Sequence, residues 1–225
     1  LFRSKRGLDA VLPVLEQHGV RGTMFTTANF ADCFPEAVQQ MAAQHEIASH
    51  TYYHSRFDNK DLLASRLRLE ALSGQTVVGL RMPRMRFVEM SEVKKAGYQY
   101  DSSINPTWIP GRYNNLRLSR TVYVEEGVPR LPASVSPNLR IPLFWLGFKN
   151  YPYAVFKRLC LQTLQKDGYL CLYFHPWEFT GINGFNLPGY VKRHHGQPLL
   201  NRLNQLLQDI APHGRFMPVN AYLEA

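Results

Sequence analysis

The chain has 225 residues, of which 45% are hydrophobic and 19% charged, a composition typical of one globular domain with a sizeable core. No stretch contains the roughly 18 consecutive apolar residues of a membrane-spanning helix, and no apolar segment follows the basic residues at the start as in a signal peptide. The net charge of +9 is dispersed and the three cysteines are far apart, which argues against a nucleic-acid site and a disulfide scaffold. We expect one domain over residues 1–225, in the cytoplasm or at its membrane face.

Helix and strand patterns alternate in the first part of the chain. Residues 7–19 have apolar side chains at helical spacing and end in glycine, which predicts a helix. Residues 20–27 then predict a short buried strand. Residues 35–43 predict a second helix with proline in its first turn, and residues 46–49 predict a strand that ends at His50.

The alternation continues to the end of the chain. Helices are predicted at 59–73, 88–96, 153–166 and 199–210, and strands at 76–81, 98–101, 169–174 and 215–219. Residues 102–150 are rich in proline, asparagine and aromatic residues and predict irregular structure.

Strict alternation of strands and helices predicts an α/β fold with a parallel sheet covered by helices. In barrel versions of that fold, functional side chains lie at the carboxyl ends of the strands. His50, Arg81 and His175 each follow or end a predicted strand. Three such residues at three strand ends indicate a functional site more strongly than any one of them.

The strongest local pattern is a pair of histidines at four-residue spacing, His50 and His54. If the segment is helical or tightly turned, both imidazoles can face one ion. Zinc accepts nitrogen ligands and needs a third protein ligand, often a carboxylate, beside an open water position. The other interpretation is one packed and one exposed histidine, and the position directly after a strand favours the metal site.

Two further residues at strand ends can do chemistry. His175 follows an apolar run, and an imidazole there has a pKa suited to donating a proton. Arg81 keeps its proton near neutrality, so it would orient a carboxylate or stabilise an anion, while Pro83 fixes the following turn. The alternatives are a core histidine bonded to a backbone carbonyl and a surface arginine.

Taken in order, five segments resemble the polysaccharide deacetylase (NodB-homology, carbohydrate esterase family four) superfamily. They are GTMFTT, HEIASHTYYH, GLRMPR, YDSS and LCLYFHPWEF. The resemblance covers Gly7 to about Phe179 and implies a distorted (β/α) barrel. It implies that His50 and His54 bind a divalent metal, usually zinc. It also implies that Arg81 orients the catalytic base and that His175 is the general acid.

The resemblance does not extend to the family's two aspartates, the third metal ligand and the catalytic base. In the family both lie on the first strand, ahead of the first helix, and no residue before Gly7 is Asp or Glu. We expect that strand to precede Leu1, since a barrel without it would expose strand edges; the alternative is a protein without the motif. Asp32 and Asp101 are the nearest substitutes in the sequence, and we assign neither to the metal.

The predicted activity is metal-dependent removal of N-acetyl groups from an amino-sugar polysaccharide or glycan. Tyr53, Pro83, Trp108 and Trp177 are the predicted substrate contacts, three of them because aromatic rings can stack on sugars. The predicted partner is therefore an N-acetylated carbohydrate. Two alternatives stay open: a deformylase or amidohydrolase of a small molecule or nucleotide sugar, and an inactive glycan-binding or assembly protein of the same fold.

Overall fold

The computed structural model describes residues 1–225 as two compact units whose segments alternate along the chain. The helical unit comprises residues 1–20, 105–120 and 133–216. The sheet unit comprises residues 21–104, 121–132 and 217–225. Each unit is thus assembled from stretches that are distant in sequence.

The α-helices are numbered here in chain order. They are α1 Phe2–Gln17, α2 Ala28–Cys33, α3 Pro35–Ala42, α4 Lys60–Ser73, α5 Met90–Lys95, α6 Trp145–Asn150, α7 Tyr153–Asp167, α8 Gly189–Lys192, α9 Gln197–Ile210 and α10 Val219–Glu224. α4 and α7 end at Gly74 and Gly168, which adopt the left-handed conformation that glycine allows at a helix end. None of the helices combines the length and apolar character that a membrane crossing requires.

The strands are short. They are β1 Thr23–Thr26, β2 Glu46–Ser49, β3 Gly79–Leu80, β4 Tyr100–Asp101, β5 Trp108–Ile109, β6 Tyr113–Asn114, β7 Tyr123–Glu125 and β8 Val128–Arg130. β5 and β6 form a separate antiparallel hairpin in the helical unit.

The other six strands form one sheet in the order β1-β2-β3-β4-β8-β7. Neighbouring strands from β1 to β8 are parallel, and the β7–β8 hairpin is antiparallel. In this register Ser49 pairs with Thr26 on one side and Leu80 on the other. Because parallel strands end at one edge of a sheet, His50 and Arg81 leave it side by side.

Helix α4 covers strand β2 with its buried face, Leu62, Ser65 and Leu69. The buried Ser65 hydroxyl lies 2.7 Å from the Ser49 hydroxyl, so both polar groups are satisfied inside an apolar contact. This contact holds the end of β2, directly before His50.

In the helical unit, α1 lies against the 3₁₀ turn Pro176–Phe179, which follows His175. The approach is closest at Gly7, where a Cβ atom would lie 1.7 Å from the Pro176 carbonyl oxygen. Only glycine allows two backbones to come this close. α9 buries an apolar stripe of leucines toward α1 and the same turn.

Most predicted elements are present with shifted ends. α4, α7 and α9 match the predicted helices at 59–73, 153–166 and 199–210. α1 begins at Phe2 rather than at Gly7, and a Lys5–Asp9 ion pair at four-residue spacing supports its first turns. The first four predicted strands contain β1 to β4. β2 has the predicted range, and the other three are shorter than predicted.

Three predictions of secondary structure are wrong. Residues 169–174 form no strand, although Cys171 exchanges hydrogen bonds with Ser134, because an apolar run alone does not supply a ladder. Residues 215–219 form no strand, and the last of them, Val219, begins α10. The stretch 102–150, predicted to be irregular, contains β5 to β8 and α6, since such short strands carry no detectable alternation.

Candidate active site

The histidine pair lies in a tight loop of the sheet unit rather than on a helix. His50 continues β2, and its backbone N–H donates to the Thr26 carbonyl at 2.8 Å. The ring centroids of His50 and His54 are 5.4 Å apart, with the planes tilted by 47°. The structure therefore brings these two residues together, as their spacing predicts for a tightly turned segment.

The tautomer of His50 is set by its neighbour in the sheet. Its Nδ1 lies 2.6 Å from the Arg81 backbone carbonyl oxygen. A carbonyl only accepts, so Nδ1 carries the proton and Nε2 carries the lone pair. A metal-binding histidine is oriented in this way, by a bond from its other ring nitrogen.

The residue that follows His50, Thr51, has a strained backbone conformation. It is fully buried and has φ of 62°, a left-handed conformation that β-branched residues rarely adopt. Its carbonyl accepts the Ala28 N–H at 3.1 Å, and the Tyr52 carbonyl accepts the Asn29 N–H at 3.0 Å. The start of α2 thus holds the loop in a conformation that is costly on its own, a situation typical of functional sites.

Arg81 is buried, and its guanidinium is held by the next strand. Its Nε donates to the Ser102 carbonyl at 2.9 Å and its Nη2 to the Ser102 hydroxyl at 2.7 Å. The guanidinium carbon also lies 4.3 Å from the centre of the Phe25 ring. Its predicted role of orienting a catalytic carboxylate stays a prediction.

The two carboxylates considered as substitutes for the family aspartates are both engaged elsewhere. Asp101 is fully buried and accepts hydrogen bonds from the backbone N–H and the hydroxyl of Ser103. It also accepts from Arg130, from Nη2 at 2.8 Å and from Nε at 3.0 Å. Asp32 accepts from Arg68 at 2.6 Å and from the Tyr52 hydroxyl at 2.9 Å. Both carboxylates are therefore bound by other side chains of the sheet unit.

The histidine pair fits part of a metal site. Two imidazoles on one tetrahedral zinc, with Zn–N bonds of about 2.1 Å, place their ring centres about 5 Å apart, close to the separation of His50 and His54. A third protein ligand is required, and no group of three or more His, Cys, Asp or Glu side chains is arranged to hold a metal. The residues present account for two ligands.

His175 belongs to the helical unit and begins the turn Pro176–Phe179. Its Nδ1 lies 2.8 Å from Glu178 Oε1, and the same oxygen accepts the His175 backbone N–H at 2.8 Å. The other carboxylate oxygen, Oε2, lies 3.2 Å from the ammonium of Lys149 as an ion pair. The side chains of Glu178 and Lys149 are both 0% exposed.

Aromatic rings surround the His175 imidazole. Trp177 stacks on it at 5.8 Å between centroids, and Trp145 meets it edge-on at 5.2 Å. Lys149 Nζ lies 5.3 Å from the centre of the Trp177 ring and 5.6 Å from the centre of the Trp145 ring. Burial lowers the pKa of Lys149, and the opposite charge of Glu178 counteracts that effect.

The other predicted substrate contacts are distributed over both units. Tyr53 lies beside the histidine loop with the Arg56 guanidinium carbon 4.0 Å from its ring centre, while Pro83 is buried at the start of a turn. Trp108 is 59% exposed on the β5–β6 hairpin. Their contact with a sugar stays a prediction.

Sequence reasoning missed Glu178 and Lys149. The signal for Glu178 was present, since a carboxylate three residues after a residue that starts a turn, with proline between them, indicates reciprocal capping. No local pattern marks Lys149, which comes from α6 and is distant in sequence. Only the tertiary structure places its ammonium on the carboxylate.

Residues 4–100 match the family model for polysaccharide deacetylase. Over these residues the chain is similar to polysaccharide deacetylases of the NodB-homology superfamily. The matched residues include the histidine pair and Arg81. No curated protein matches the chain.

Solved structures show the same fold. A candidate polysaccharide deacetylase from Mycobacterium smegmatis is 19% identical with a TM-score of 0.67, over 97% of this chain and 76% of that one. A carbohydrate esterase family four pseudoenzyme from Bacillus anthracis is 12% identical with a TM-score of 0.56, over 97% and 60%. A peptidoglycan N-acetylglucosamine deacetylase is 17% identical with a TM-score of 0.56, over 95% and 80%.

These matches, with the parallel-rich sheet, confirm the predicted α/β fold of the NodB-type (β/α) barrel-like class. Polysaccharide deacetylases act on carbohydrates as hydrolases of amide bonds and are generally metal-dependent. The superfamily also contains the inactive Bacillus anthracis protein, a mutant of which has restored enzymatic activity. Similarity to this superfamily therefore does not decide whether an individual chain is active.

Proposed function

We propose that this chain is a metal-dependent hydrolase that removes acetyl groups from an N-acetylated amino-sugar glycan. The observation that carries the proposal is the pairing of His50 and His54 at the end of β2, with the tautomer of His50 set by the Arg81 carbonyl. A strained buried loop with one imidazole pre-oriented is the expected design of half a metal site. His50 and His54 are the proposed ligands.

The proposed metal is a divalent ion, and zinc is favoured because it binds nitrogen ligands readily. When bound, it would polarise the acetyl carbonyl as a Lewis acid and activate a water molecule. Arg81 is proposed to orient the carboxylate that takes the water's proton, because its guanidinium is permanently charged and rigidly held. His175 is proposed to hold a proton at Nε2 and to give it to the leaving amine. Acetate and a free amino sugar are the products.

The proposed substrate is a polymer such as peptidoglycan, on which one of the structural relatives acts. Exposed Trp108 is suited to stacking on a sugar ring, and Tyr53 and Trp177 are proposed to contribute further aromatic surface. A deformylase or amidohydrolase acting on a nucleotide sugar would use the same residues. The acyl product released distinguishes the two.

A second candidate function is glycan binding without turnover. The observation that favours it is the absence of a third metal ligand grouped with the histidines. One structural relative is a pseudoenzyme, so such a protein has a precedent with this fold.

One experiment tests the proposal on the full chain. Metal content and acetate release from N-acetylglucosamine oligomers and peptidoglycan are measured for wild type, His50→Ala and His54→Ala, with the exposed His213→Ala as control. We expect the first two variants to lose bound zinc and at least about 100-fold in kcat/KM, while the control is unchanged.

Formate instead of acetate would support the deformylase. A wild type that binds the oligomers but neither retains metal nor releases an acyl product would overturn the hydrolase and support glycan binding.

A further inference from the structure

We propose that Glu178 is a positioning residue for His175, and that it fixes the ring so that Nε2 exchanges the proton in the proposed deacetylation. Lys149 in turn holds the carboxylate of Glu178. The inference rests on the proposed function and extends it to two buried residues that no motif includes.

The first observation is the double use of one carboxylate oxygen. Glu178 Oε1 accepts from the backbone N–H of His175 and faces its ring Nδ1, both at 2.8 Å. The backbone bond fixes where the oxygen is, and the ring bond then fixes how the imidazole is turned. An ionised carboxylate has no proton to donate, so Nδ1 carries the hydrogen and Nε2 is the position open to proton exchange.

The second observation is that Glu178 carries a negative charge that capping of the turn does not require. A neutral glutamine at this position caps a helical turn as well as glutamate does. A carboxylate with 0% exposure is costly unless it is paired, and it is paired here with the equally buried Lys149 at 3.2 Å. The Lys149 ammonium also donates to the Val191 carbonyl at 3.0 Å, which anchors it from α8.

A buried ion pair is a poor source of stability compared with apolar side chains of similar size. Its position directly behind a histidine therefore points to a role in the chemistry of the imidazole. When His175 holds a proton, the carboxylate faces the positive ring through Nδ1. The proton at Nε2 then passes to the amine nitrogen as the carbon–nitrogen bond of the tetrahedral adduct breaks, and acetate and amine leave.

The ring has little freedom to adopt another arrangement. Trp177 covers one face with an interplanar angle of 24°, and Trp145 contacts it at 83°. The two indoles and the bond to Glu178 constrain both the tilt and the rotation of the imidazole. Removal of the Glu178 carboxylate alone would leave the two indole rings packed against His175, but both neutral tautomers of the imidazole would then be populated.

The test compares Glu178→Gln, Lys149→Met and the double variant with wild type, and uses Glu36→Gln, an exposed acid in the first turn of α3, as control. Acetate release gives kcat and KM, nitrogen-15 NMR of the imidazole gives the tautomer of His175, and thermal unfolding gives stability. We expect Glu178→Gln to lower kcat at least about 10-fold with KM within about twofold, and to mix the tautomers. Glu36→Gln should match wild type in all three measurements.

The double variant separates positioning from structural support. It removes both buried charges together, so it should regain the stability that either single variant loses, yet its kcat should stay low. Recovery of kcat together with stability would overturn the inference, as would an unchanged tautomer or an unchanged kcat in Glu178→Gln. A wild type that releases no acyl product fails the proposed function instead, and the NMR measurement still shows whether Glu178 sets the tautomer.

Discussion

At the scale of single residues, burial decides the chemistry of each side chain more than its identity does. The three cysteines illustrate this, because Cys33 is exposed whereas Cys160 is fully buried in α7. Burial raises the pKa of the Cys160 thiol to about 12, since a thiolate would lose its hydration there. Cys171, which like Cys160 lies in an apolar run of the sequence, is only half-buried.

A thiol-modification experiment follows from this contrast. In the native protein at pH 8, iodoacetamide should alkylate Cys33 readily and leave Cys160 unmodified, because the thiolate is the nucleophile. Peptide mass spectrometry measures the labelling, and a denatured sample in which both cysteines react is the control. Native labelling of Cys160 at the rate of Cys33 would contradict the prediction.

The same pKa predicts the direction of a stability change with pH. The folded protein holds the Cys160 proton up to about pH 12, whereas the unfolded chain releases it near the ordinary value of about 8.5. The folded state therefore binds more protons in that interval, and the contribution of Cys160 to the free energy of unfolding should fall as pH rises above about 8.5. Denaturant unfolding of wild type and Cys160→Ala over pH 7–10 should show a smaller pH dependence in the variant.

At the scale of elements, the sequence predicts helices well and strands poorly. α9 carries an apolar stripe over its whole length, and α4 and α7 end in a glycine, so the extent of these helices can be predicted. β3 and β4 are two residues long and exist because their neighbours pair with them. Residues 169–174 show the reverse case, an apolar run without a ladder.

Contact between α1 and the turn after His175 gives an element-scale prediction. Gly7→Ala would place a methyl group 1.7 Å from the Pro176 carbonyl, so the helix or the turn must move. We expect a loss of about 1–3 kcal/mol of stability and a lower kcat, because the turn carries His175. Gly181→Ala, where a Cβ meets nothing within 4 Å, is the matched control in the same unit. Equal stability of the two variants by thermal unfolding would show that the contact is not close.

The buried ion pair between β4 and β8 gives a second prediction. Arg130 contacts Asp101 at 2.8 Å, and both side chains are almost completely buried. Arg130→Met leaves an uncompensated carboxylate inside the sheet unit and should cost about 3–5 kcal/mol in chemical denaturation. Lys60→Met removes an exposed partner of Asp58 and should change stability little. A loss below about 1 kcal/mol for Arg130→Met would contradict the expected cost.

At the scale of the whole molecule, the fold class could be predicted, and the site only in part. Alternating patterns predict the fold class, and the histidine pair predicts part of the candidate site. His175 is recognisable because it follows an apolar run, and Glu178 lies in the turn directly after it. Lys149 comes from α6, which no apolar periodicity predicts. Sequence spacing predicts His50 and His54 as metal ligands, but it cannot reveal a third ligand that comes from a distant segment of the chain.

The path of the chain has a consequence for its synthesis. The chain passes between the units after Val20, Ile104, Arg120, Pro132 and Phe216, so no single cut in the gene isolates either of them. The sheet unit receives late contacts, since the Val219 N–H donates to Thr23 at 2.8 Å and the Asn220 N–H to Glu46 at 3.2 Å. Strand β1 is translated early, but its hydrogen bond from Val219 can form only after residue 219 has left the ribosome. A nascent chain stalled before residue 219 should therefore be more sensitive to protease than one released after it.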